Sequence, residues 1–532
     1  MNRRLANSLP LAVLAIAVAG GSVLRAWRLG ERSMWFDESV SYATITRFSW
    51  AEMIERTGQA VHPPLYYIVL RLWSLCWGTS LTSLRALSVA LGAATIVGVY
   101  LFCRDTFGPC AVEADRAPSA VEHGARNTAA CIAATAAALL ATSSVHIVWS
   151  QEARMYMLGA CLAAFSTWSL VRALRSGRPQ WWALYTLLAA AFIYTHNFAA
   201  FTIFAQACFA FLAPAWKRPG DGWNVGRRSS LQTLAALAAV VLLYLPWAPT
   251  LVRQATRVNG DYWIPPVRAW TLPNAWYDLV VPRNGFEAPP RLAVVVVAAD
   301  LLAVVFVAWR AGKMGGRLVA LLVLVPVACA LAVSAFGTSI IIDRYFLFAQ
   351  LFLLCALARA VWVLPGAPLR IAATVTLLSG GLLLHQRHWT ALERGRAEGL
   401  SAAVAHVMRR RQADEPLIVV NPALFQAVRY YASDEAPVRL FAPERLSHYN
   451  GGPLLLPGDV CDDLALAASH ARRAWVFDSS GFQSSFPRYR LTSVWRPRDG
   501  TQRSFREANY FQGAIYVTEY ERREDVAVGR IR

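Results

Sequence analysis

Apolar runs of roughly twenty residues recur along this sequence, at about 9–26, 82–102, 128–149, 155–172, 180–195, 198–215, 230–249, 291–309, 317–336, 345–363 and 370–386, each near the length of helix that crosses a bilayer core. In hydrocarbon every backbone N–H and C=O must be paired within its own segment, so runs of this kind fold as helices. The expected fold class is a polytopic α-helical membrane protein with about eleven transmembrane helices. Composition agrees, since 56% of the 532 residues are hydrophobic and only 16% are charged, far from the balance of a soluble domain.

The net charge of +19 does not call for nucleic acid as a partner. The basic residues sit mainly in short loops and in the C-terminal region, where they set topology and contact membrane lipid. One further apolar piece, "PPLYYIVLRLWSLCWG" (63–78), decides the side on which every later loop falls. As a helix it would reach only about 24 Å against roughly 30 Å of hydrocarbon, and Arg71 lies in its middle. It is expected to lie in or near the interface. The loops then predicted to be cytoplasmic hold Arg104, Arg116 and Arg126; Arg175 and Arg178; Lys217, Arg218, Arg227 and Arg228; and Arg310, Lys313 and Arg317, as the positive-inside rule requires. The N-terminus is then cytoplasmic and the C-terminus external. Ala17-Val18-Ala19 would suit signal peptidase, but the apolar run continues through Val23 and Leu24, which favours an uncleaved first span. The nine cysteines are scattered, Cys461 alone lies in the polar C-terminal region, and Cys103 and Cys110 have no matching pair for zinc.

The first external loop, 27–81, is expected to carry surface helices. Ser49 and Glu52 have the spacing of a capping box, with Phe48 and Met53 placed as a hydrophobic staple, so a helix should start at Trp50. Pro63 and Pro64 suit the first turn of the next helix. Ionisable residues interrupt apolar context at Asp37 and Glu38, His62, "SQEARMY" (150–156), "YTHN" (194–197) and "DRY" (343–345). Under the eleven-span count all five fall on the external face, and buried ionisable groups gathered at one membrane face mark a functional cleft.

These residues resemble the membrane-embedded GT-C glycosyltransferases, the broad group that includes protein O-mannosyltransferases and the lipid A aminoarabinose transferase. The resemblance rests on "WFDE" in the first loop, "HPPLYYIVLRLW" after it, "SQEARMYML" after the third span and "DRYFLF" at a late span. It covers residues 1–386 and implies a GT-C transmembrane domain there, with juxtamembrane helices in loop 27–81 and an extracytoplasmic α/β domain over 387–532. It further implies transfer of a sugar from a polyprenyl-phosphate donor to an acceptor lipid, glycan or protein outside the cytoplasmic membrane. A nucleotide-sugar donor is disfavoured, because no glycine-rich loop joins a strand to a helix.

Inverting displacement requires a base for the acceptor hydroxyl and positive charge for the departing phosphate. Asp37 matches the family's acidic position and is the candidate general base. Glu38 is its backup, although neighbours on a helix point about 100° apart, so it would orient the acceptor or help hold a metal. Glu152 stays open as the nucleophile of a retaining route. Arg154 and Arg344 are the candidates for phosphate, because a guanidinium stays charged when desolvated and bonds two oxygens at once. His62 would contact the phosphate or the acid loop, Tyr156, His196 and Tyr345 would line the sugar site, and Asp343 accompanies Arg344. No cofactor is expected to be obligatory, and a divalent cation stays open.

The segment 250–290 mixes Trp, Tyr, Pro and Arg, as a loop lying over the cleft or an interfacial aromatic belt would. Beyond 386 a basic helix at about 390–411 and strands at 417–420, 438–442, 474–477 and 514–520 are expected, forming a small α/β unit that docks acceptor, covers the cleft or caps the fold. A flippase of lipid-linked sugars, or a non-catalytic binder of the carrier, would share the many spans. Transporters show paired halves with interrupted helices, and no such repeat is found.

Overall fold

The computed structural model describes residues 3–109, 120–218, 221–260, 262–281, 290–309, 314–394, 399–433, 436–462, 471–481, 487, 489–491, 495–506 and 513–523. Arg116, Arg310, Lys313 and Cys110, which figure in the sequence-based topology, lie outside the described residues.

The chain enters through α1 (Arg3–Ala26) and then lays three short helices on one face: α2 (Phe36–Thr46), α3 (Trp50–Gln59) and α4 (Leu65–Trp77). The expected capping box is present at the start of α3, with Ser49 accepting from the Glu52 N–H and Glu52 from the Ser49 N–H. Phe48 and Met53 are both buried. Pro64 takes the N-cap of α4 rather than a place in its first turn. Both ends of α4 stay on one face: the Leu65 N–H donates to Tyr194 O (3.1 Å) and the Trp73 indole donates to Ser83 O (2.9 Å). With 13 residues it is shorter than the helices long and apolar enough to cross a membrane.

The remaining helices of this part are α5 (Leu81–Phe107), α6 (Ala120–Thr142), α7 (Ser144–Ser150), α8 (Tyr156–Ser176), α9 (Pro179–Ile193), α10 (Ala199–Trp216), α11 (Arg227–Tyr244), α12 (Ala248–Gly260), α13 (Thr271–Asp278), α14 (Pro290–Trp309), α15 (Met314–Phe336), α16 (Leu347–Val361) and α17 (Ala367–Arg394). Among the described residues nine helices are long and apolar enough to cross a membrane, and ten if the α6–α7 pair, bent by 60°, is one span. The eleventh expected run, 180–195, forms α9 with only 15 residues, about 22 Å at the helical rise per residue. It still joins the two faces, because Tyr194–Asn197 at its end meet α4 while its start follows Gly177, beside the bond from the Asn224 N–H to Leu174 O (3.0 Å). At that second face Arg175 donates to Gly108 O (2.8 Å) and Arg317 sits over the Trp216 ring.

The bend after α6 has a visible cause. Arg25, fully buried at the end of α1, donates to Leu140 O (3.0 Å) and Ala141 O (3.1 Å), as well as to Gly21 O and Ser150 Oγ. A helix ends with unpaired carbonyls and partial negative charge, and this guanidinium supplies both the donors and the opposing charge. Gly92 makes room for it, since a Cβ there would lie 3.0 Å from Arg25 Nε.

Helix α17 runs on to Arg394, past the expected boundary at 386, and α18 (Gly399–Met408) follows. The sheet contains β1 (Leu417–Val419), β2 (Val438–Phe441), β3 (Val460–Cys461), β4 (Arg473–Ser479), β5 (Trp495–Pro497), β6 (Arg503–Arg506) and β7 (Ala514–Arg522), with α19 (Pro422–Ala432) between β1 and β2. All four expected strands form, as β1, β2, β4 and β7. The order is β3-β2-β1-β4-β7-β5, with β6 also pairing β7; the first four are parallel and β7 is antiparallel to its neighbours. Leu400 and Val404 of α18 and Leu424 and Val428 of α19 share one apolar core with Leu417, Val419, Phe477 and Val517 of the sheet. This layer docks on the first loop. The Met34 N–H donates to Tyr431 Oη (2.7 Å), the Leu81 N–H donates to Tyr430 Oη (2.9 Å), and Asp459 pairs with both Arg47 (2.8 Å) and Arg429 (2.9 Å).

Replacing Arg25 with Met strips the Leu140 and Ala141 carbonyls of their donors, at about 1–3 kcal/mol for each buried group left unpaired. Thermal unfolding of the purified variant is expected several degrees below wild type; an unchanged melting temperature would show that Arg25 does not hold the bend.

Candidate active site

The site begins at the first turn of α2. Trp35 is extended and ends the preceding loop, and Asp37 and Glu38 occupy the first helical turn, where carboxylates oppose the positive end of the helix dipole. Adjacent positions on a helix diverge, and the two acids have different fates. Glu38 points inward, is fully buried, and accepts two hydrogen bonds from Arg85 of α5 (2.8 and 2.7 Å) and one from the Ala153 N–H (3.0 Å). Arg85 also donates to Leu29 O (2.8 Å), Arg32 O (3.0 Å) and Ser33 O (3.2 Å). One ion pair thus ties the end of α1, the acid turn, α5 and the lead-in to α8. Glu38 is not among the residues of the cavity wall; its oxygens accept from Arg85 and the Ala153 N–H.

Asp37 faces the other way, into a cavity of about 540 Å³ whose wall also includes His62, Arg154, Tyr156, Arg344 and Tyr345. Four segments that the sequence keeps far apart are therefore brought together. Arg154 Nε stands 3.8 Å from Asp37 Oδ2, and its Nη1 reaches Asp37 O (3.2 Å), Ser41 Oγ and Tyr67 Oη (both 3.4 Å). Arg344 lies in a single turn of 3-10 helix (Asp343–Phe346) ahead of α16. It is buried, its guanidinium sits 5.2 Å from the Trp263 ring centroid, and its Nε has no hydrogen-bond partner among the described residues. Arg154 Nε likewise has no hydrogen-bond partner among the described residues, and a desolvated guanidinium with an open N–H is suited to an anion.

His196 is buried just behind this wall, with its ring 5.0 Å from Tyr345, 5.4 Å from His62 and 5.9 Å from Tyr156. Its Nδ1 accepts from the Phe198 N–H (3.1 Å), which leaves the proton on Nε2. Burial, with Arg154 and Arg344 nearby, holds its pKa down at about 3. Burial and Arg154 likewise hold His62 well below the usual histidine range. Both rings are neutral hydrogen-bonding groups at physiological pH. Glu152 and Asp343 also lie off the cavity wall. Burial, and then the neighbouring Glu38 carboxylate, push Glu152 up to about 8, so it is mostly protonated near neutrality. Among the described residues no group of three or more His, Cys, Asp or Glu could hold a metal ion. Glu38 is engaged by an arginine, and the cavity-facing Asp37 has Arg154 beside it.

Several wall residues had not been singled out. Tyr67 lies in the quoted "HPPLYY" stretch, and Arg56, which donates to Pro453 O (2.6 Å), looks in sequence like an ordinary surface charge on α3. Tyr262, Trp263 and Pro265 of segment 250–290 belong to the cavity wall, and the Tyr262 hydroxyl is 3.2 Å from that of Tyr345. His448, Tyr449, Ser480 and Gly481 close the cavity from the C-terminal layer.

No family model matches the sequence, and no curated protein matches it. Solved structures do. ArnT from Cupriavidus metallidurans in the apo state is similar at a TM-score of 0.53 and 12% identity, over 89% of this chain and 93% of that one. The same protein bound to undecaprenyl phosphate is similar at a TM-score of 0.48 and 15% identity, over 96% and 97%. An Archaeoglobus fulgidus oligosaccharyltransferase tethered with an acceptor peptide is similar at 0.48 and 11%, over 90% and 70%. ArnT is an aminoarabinose transferase, and both neighbours are GT-C enzymes; the likeness to the apo structure is one of fold.

Two changes test this electrostatic layout. Glu38→Gln leaves Arg85 buried without its counter-charge, at a cost of about 3–5 kcal/mol, whereas the double change Glu38→Leu with Arg85→Met should recover most of it. Thermal unfolding of the three proteins checks the ranking, and equal losses in the single and double variants would contradict it. For Glu152, whose folded pKa is raised, the folded state keeps a proton that the unfolded chain loses above its ordinary carboxylate range, so its contribution falls as pH rises towards about 8. Glu152→Gln should therefore melt higher than wild type at pH 8.5 and show a smaller gap at pH 5; a gap independent of pH would refute the buried neutral acid.

Proposed function

We propose that this GT-C membrane protein is a glycosyltransferase that moves a sugar from a polyprenyl-phosphate donor to an acceptor on the side of the membrane that carries the cavity. One observation carries the reading: a carboxylate, Asp37, shares a cavity with two buried arginines, Arg154 and Arg344, each of which has its Nε without a hydrogen-bond partner among the described residues. A lipid-linked sugar phosphate would match that pairing, with its phosphate at Arg344 and Arg154, its sugar beside Tyr156, His62 and Tyr345, and its prenyl chain in the bilayer. The solved neighbours include ArnT bound to undecaprenyl phosphate, which agrees with such a donor.

In the proposed step, the acceptor hydroxyl oxygen bonds to the anomeric carbon as Asp37 takes its proton. The bond from that carbon to the phosphate oxygen breaks, and the electron pair leaves with polyprenyl phosphate, whose added negative charge Arg344 and Arg154 stabilise. The single displacement inverts the anomeric centre. Arg154 stands beside Asp37 and orients it, and the neutral His62 accepts or donates to the sugar. Glu38 and Arg85 act by positioning, since they hold the turn from which Asp37 projects.

We place the cavity side outside the cytoplasm, because the loops at the opposite helix ends carry Arg104, Arg175, Arg178, Lys217, Arg218, Arg227, Arg228 and Arg317.

Asp37→Asn should lower transfer by about 10²–10⁴-fold while the protein still accumulates in the membrane, read as loss of the modified product in mass spectra of cell-envelope glycans and lipids. Retained product would move the base to another residue. Arg344→Leu should weaken undecaprenyl phosphate binding by roughly ten- to a hundredfold, the scale of one charged hydrogen bond, and unchanged binding would remove Arg344 from the phosphate site.

A further inference from the structure

Asp300 is the only ionisable residue between Arg291 and Arg310, and it stands about 15 Å along α14 from Pro290 at the helical rise per residue, near the middle of the span. Only one stripe of this helix is turned to protein. Ala293, Asp300, Val304 and Val307 are buried, whereas Leu302 and Val305 are exposed, so the acid sits on the packed face at helical spacing. A carboxyl in mid-span is expensive to place and marks a function by default. The cavity does not use it directly, since Asp300 is not among the residues of its wall.

The acid holds α13. Asp300 Oδ2 accepts from the Trp276 indole N–H (2.9 Å), and both residues are buried. Because that bond is made half-way along α14, this short helix lies at membrane depth, where backbone groups at its ends must be satisfied by protein. They are satisfied. The Leu279 N–H donates to Trp276 O, the Val280 and Val281 N–H groups donate to Tyr277 O, and Gln350 of α16 donates both to Leu279 O (2.9 Å) and to Ser143 Oγ (3.3 Å). Side chains from two spans, Asp300 and Gln350, therefore pin α13 in place.

The pinned helix packs against the turn Asp343–Phe346, which carries Arg344. That turn is a single piece of 3-10 helix, whose hydrogen bonds are poorer than those of an α-helix, so the direction in which Arg344 points depends on what the turn rests upon. Leucine in place of Asp300 would leave the Trp276 N–H buried without an acceptor. A shift of α13 that brought an acceptor back to it would carry the turn along. We propose that Asp300 is a positioning residue of the phosphate site: through Trp276 it holds α13 against the turn that carries Arg344. The proposal rests on the reading of Arg344 as a phosphate ligand and adds a residue remote from the cavity to that function.

The test is equilibrium binding of undecaprenyl phosphate to the full chain in lipid nanodiscs, with thermal unfolding of the same samples. Asp300→Leu and Trp276→Phe each remove the bond and should each weaken binding about tenfold, while Asp300→Asn, whose side-chain oxygen accepts the same proton, should stay within about twofold of wild type. Either of the first two suffices if the other does not fold. Combining one of them with Arg344→Leu should add no further loss, because a residue that acts through Arg344 then has nothing to position. Gln206→Leu is the control for stability alone. Gln206 is buried in α10, accepts from Tyr185 Oη (3.1 Å) and donates to Thr167 Oγ1 (2.8 Å), so its variant should melt lower yet bind as wild type does. Unchanged binding in Asp300→Leu and Trp276→Phe, losses additive with Arg344→Leu, no rescue by asparagine, or an equal loss in Gln206→Leu would overturn this assignment alone. A wild-type chain that does not bind undecaprenyl phosphate, or an Arg344→Leu variant that binds it normally, would overturn the phosphate-site reading and the assignment with it.

Discussion

The site depends on one buried ion pair. Burying a carboxylate and a guanidinium together costs several kcal/mol in lost hydration, which is offset only when geometry is good and the remaining donors are satisfied. Glu38 and Arg85 meet both conditions: two short hydrogen bonds join them, the Ala153 N–H supplies another, and three backbone carbonyls take the other protons of Arg85. The pair fixes the rotation of α2 about its axis. With Glu38 turned inward, the residue before it must face elsewhere, and Asp37 is left on the cavity side beside Arg154. The short "DE" sequence is therefore two parts with one cause.

Around that fixed point the other groups follow from the membrane helices. The lead-in to α8 brings Arg154, the turn before α16 brings Arg344, and the α9–α10 corner brings His196 behind Tyr345 and Tyr156. Positive charge is used differently in each place. Arg25 spends its donors on the open carbonyls of a bent helix, Arg85 on a carboxylate, and Arg56 on the backbone of the C-terminal layer. Arg344 and Arg154 each keep an Nε without a hydrogen-bond partner among the described residues, and the proposed phosphate site rests on that contrast.

Much of this was legible in the sequence. Apolar runs gave the helices because lipid permits little else, and the Ser49–Glu52 spacing gave the start of α3. Four of the five interruptions of apolar context supply residues of the cavity wall, and the fifth, at His196, packs behind it. What stayed hidden depends on direction and tertiary pairing. Asp37 and Glu38 are alike in sequence, and only the position of Arg85, which sits inside an apparent span and looks like a boundary charge, decides which one faces the cavity. Glu152 and Arg154 stand two apart, yet one enters the wall and the other is buried behind it. The run at 180–195 already stops well short of the roughly twenty residues of a span, and α9 follows it with 15. The sheet was readable as strands, but its order, and with it the approach of Ser480 to the site, comes from long-range pairing that local pattern does not encode.

The most direct measurement is a cryo-EM map of the full chain in lipid nanodiscs with undecaprenyl phosphate. The account predicts phosphate density within hydrogen-bond distance of Arg344 and Arg154, with Asp37 still facing the same cavity and Glu38 still paired with Arg85. Phosphate bound away from Arg344, or Asp37 turned out of the cavity while Glu38 takes its place, would contradict it.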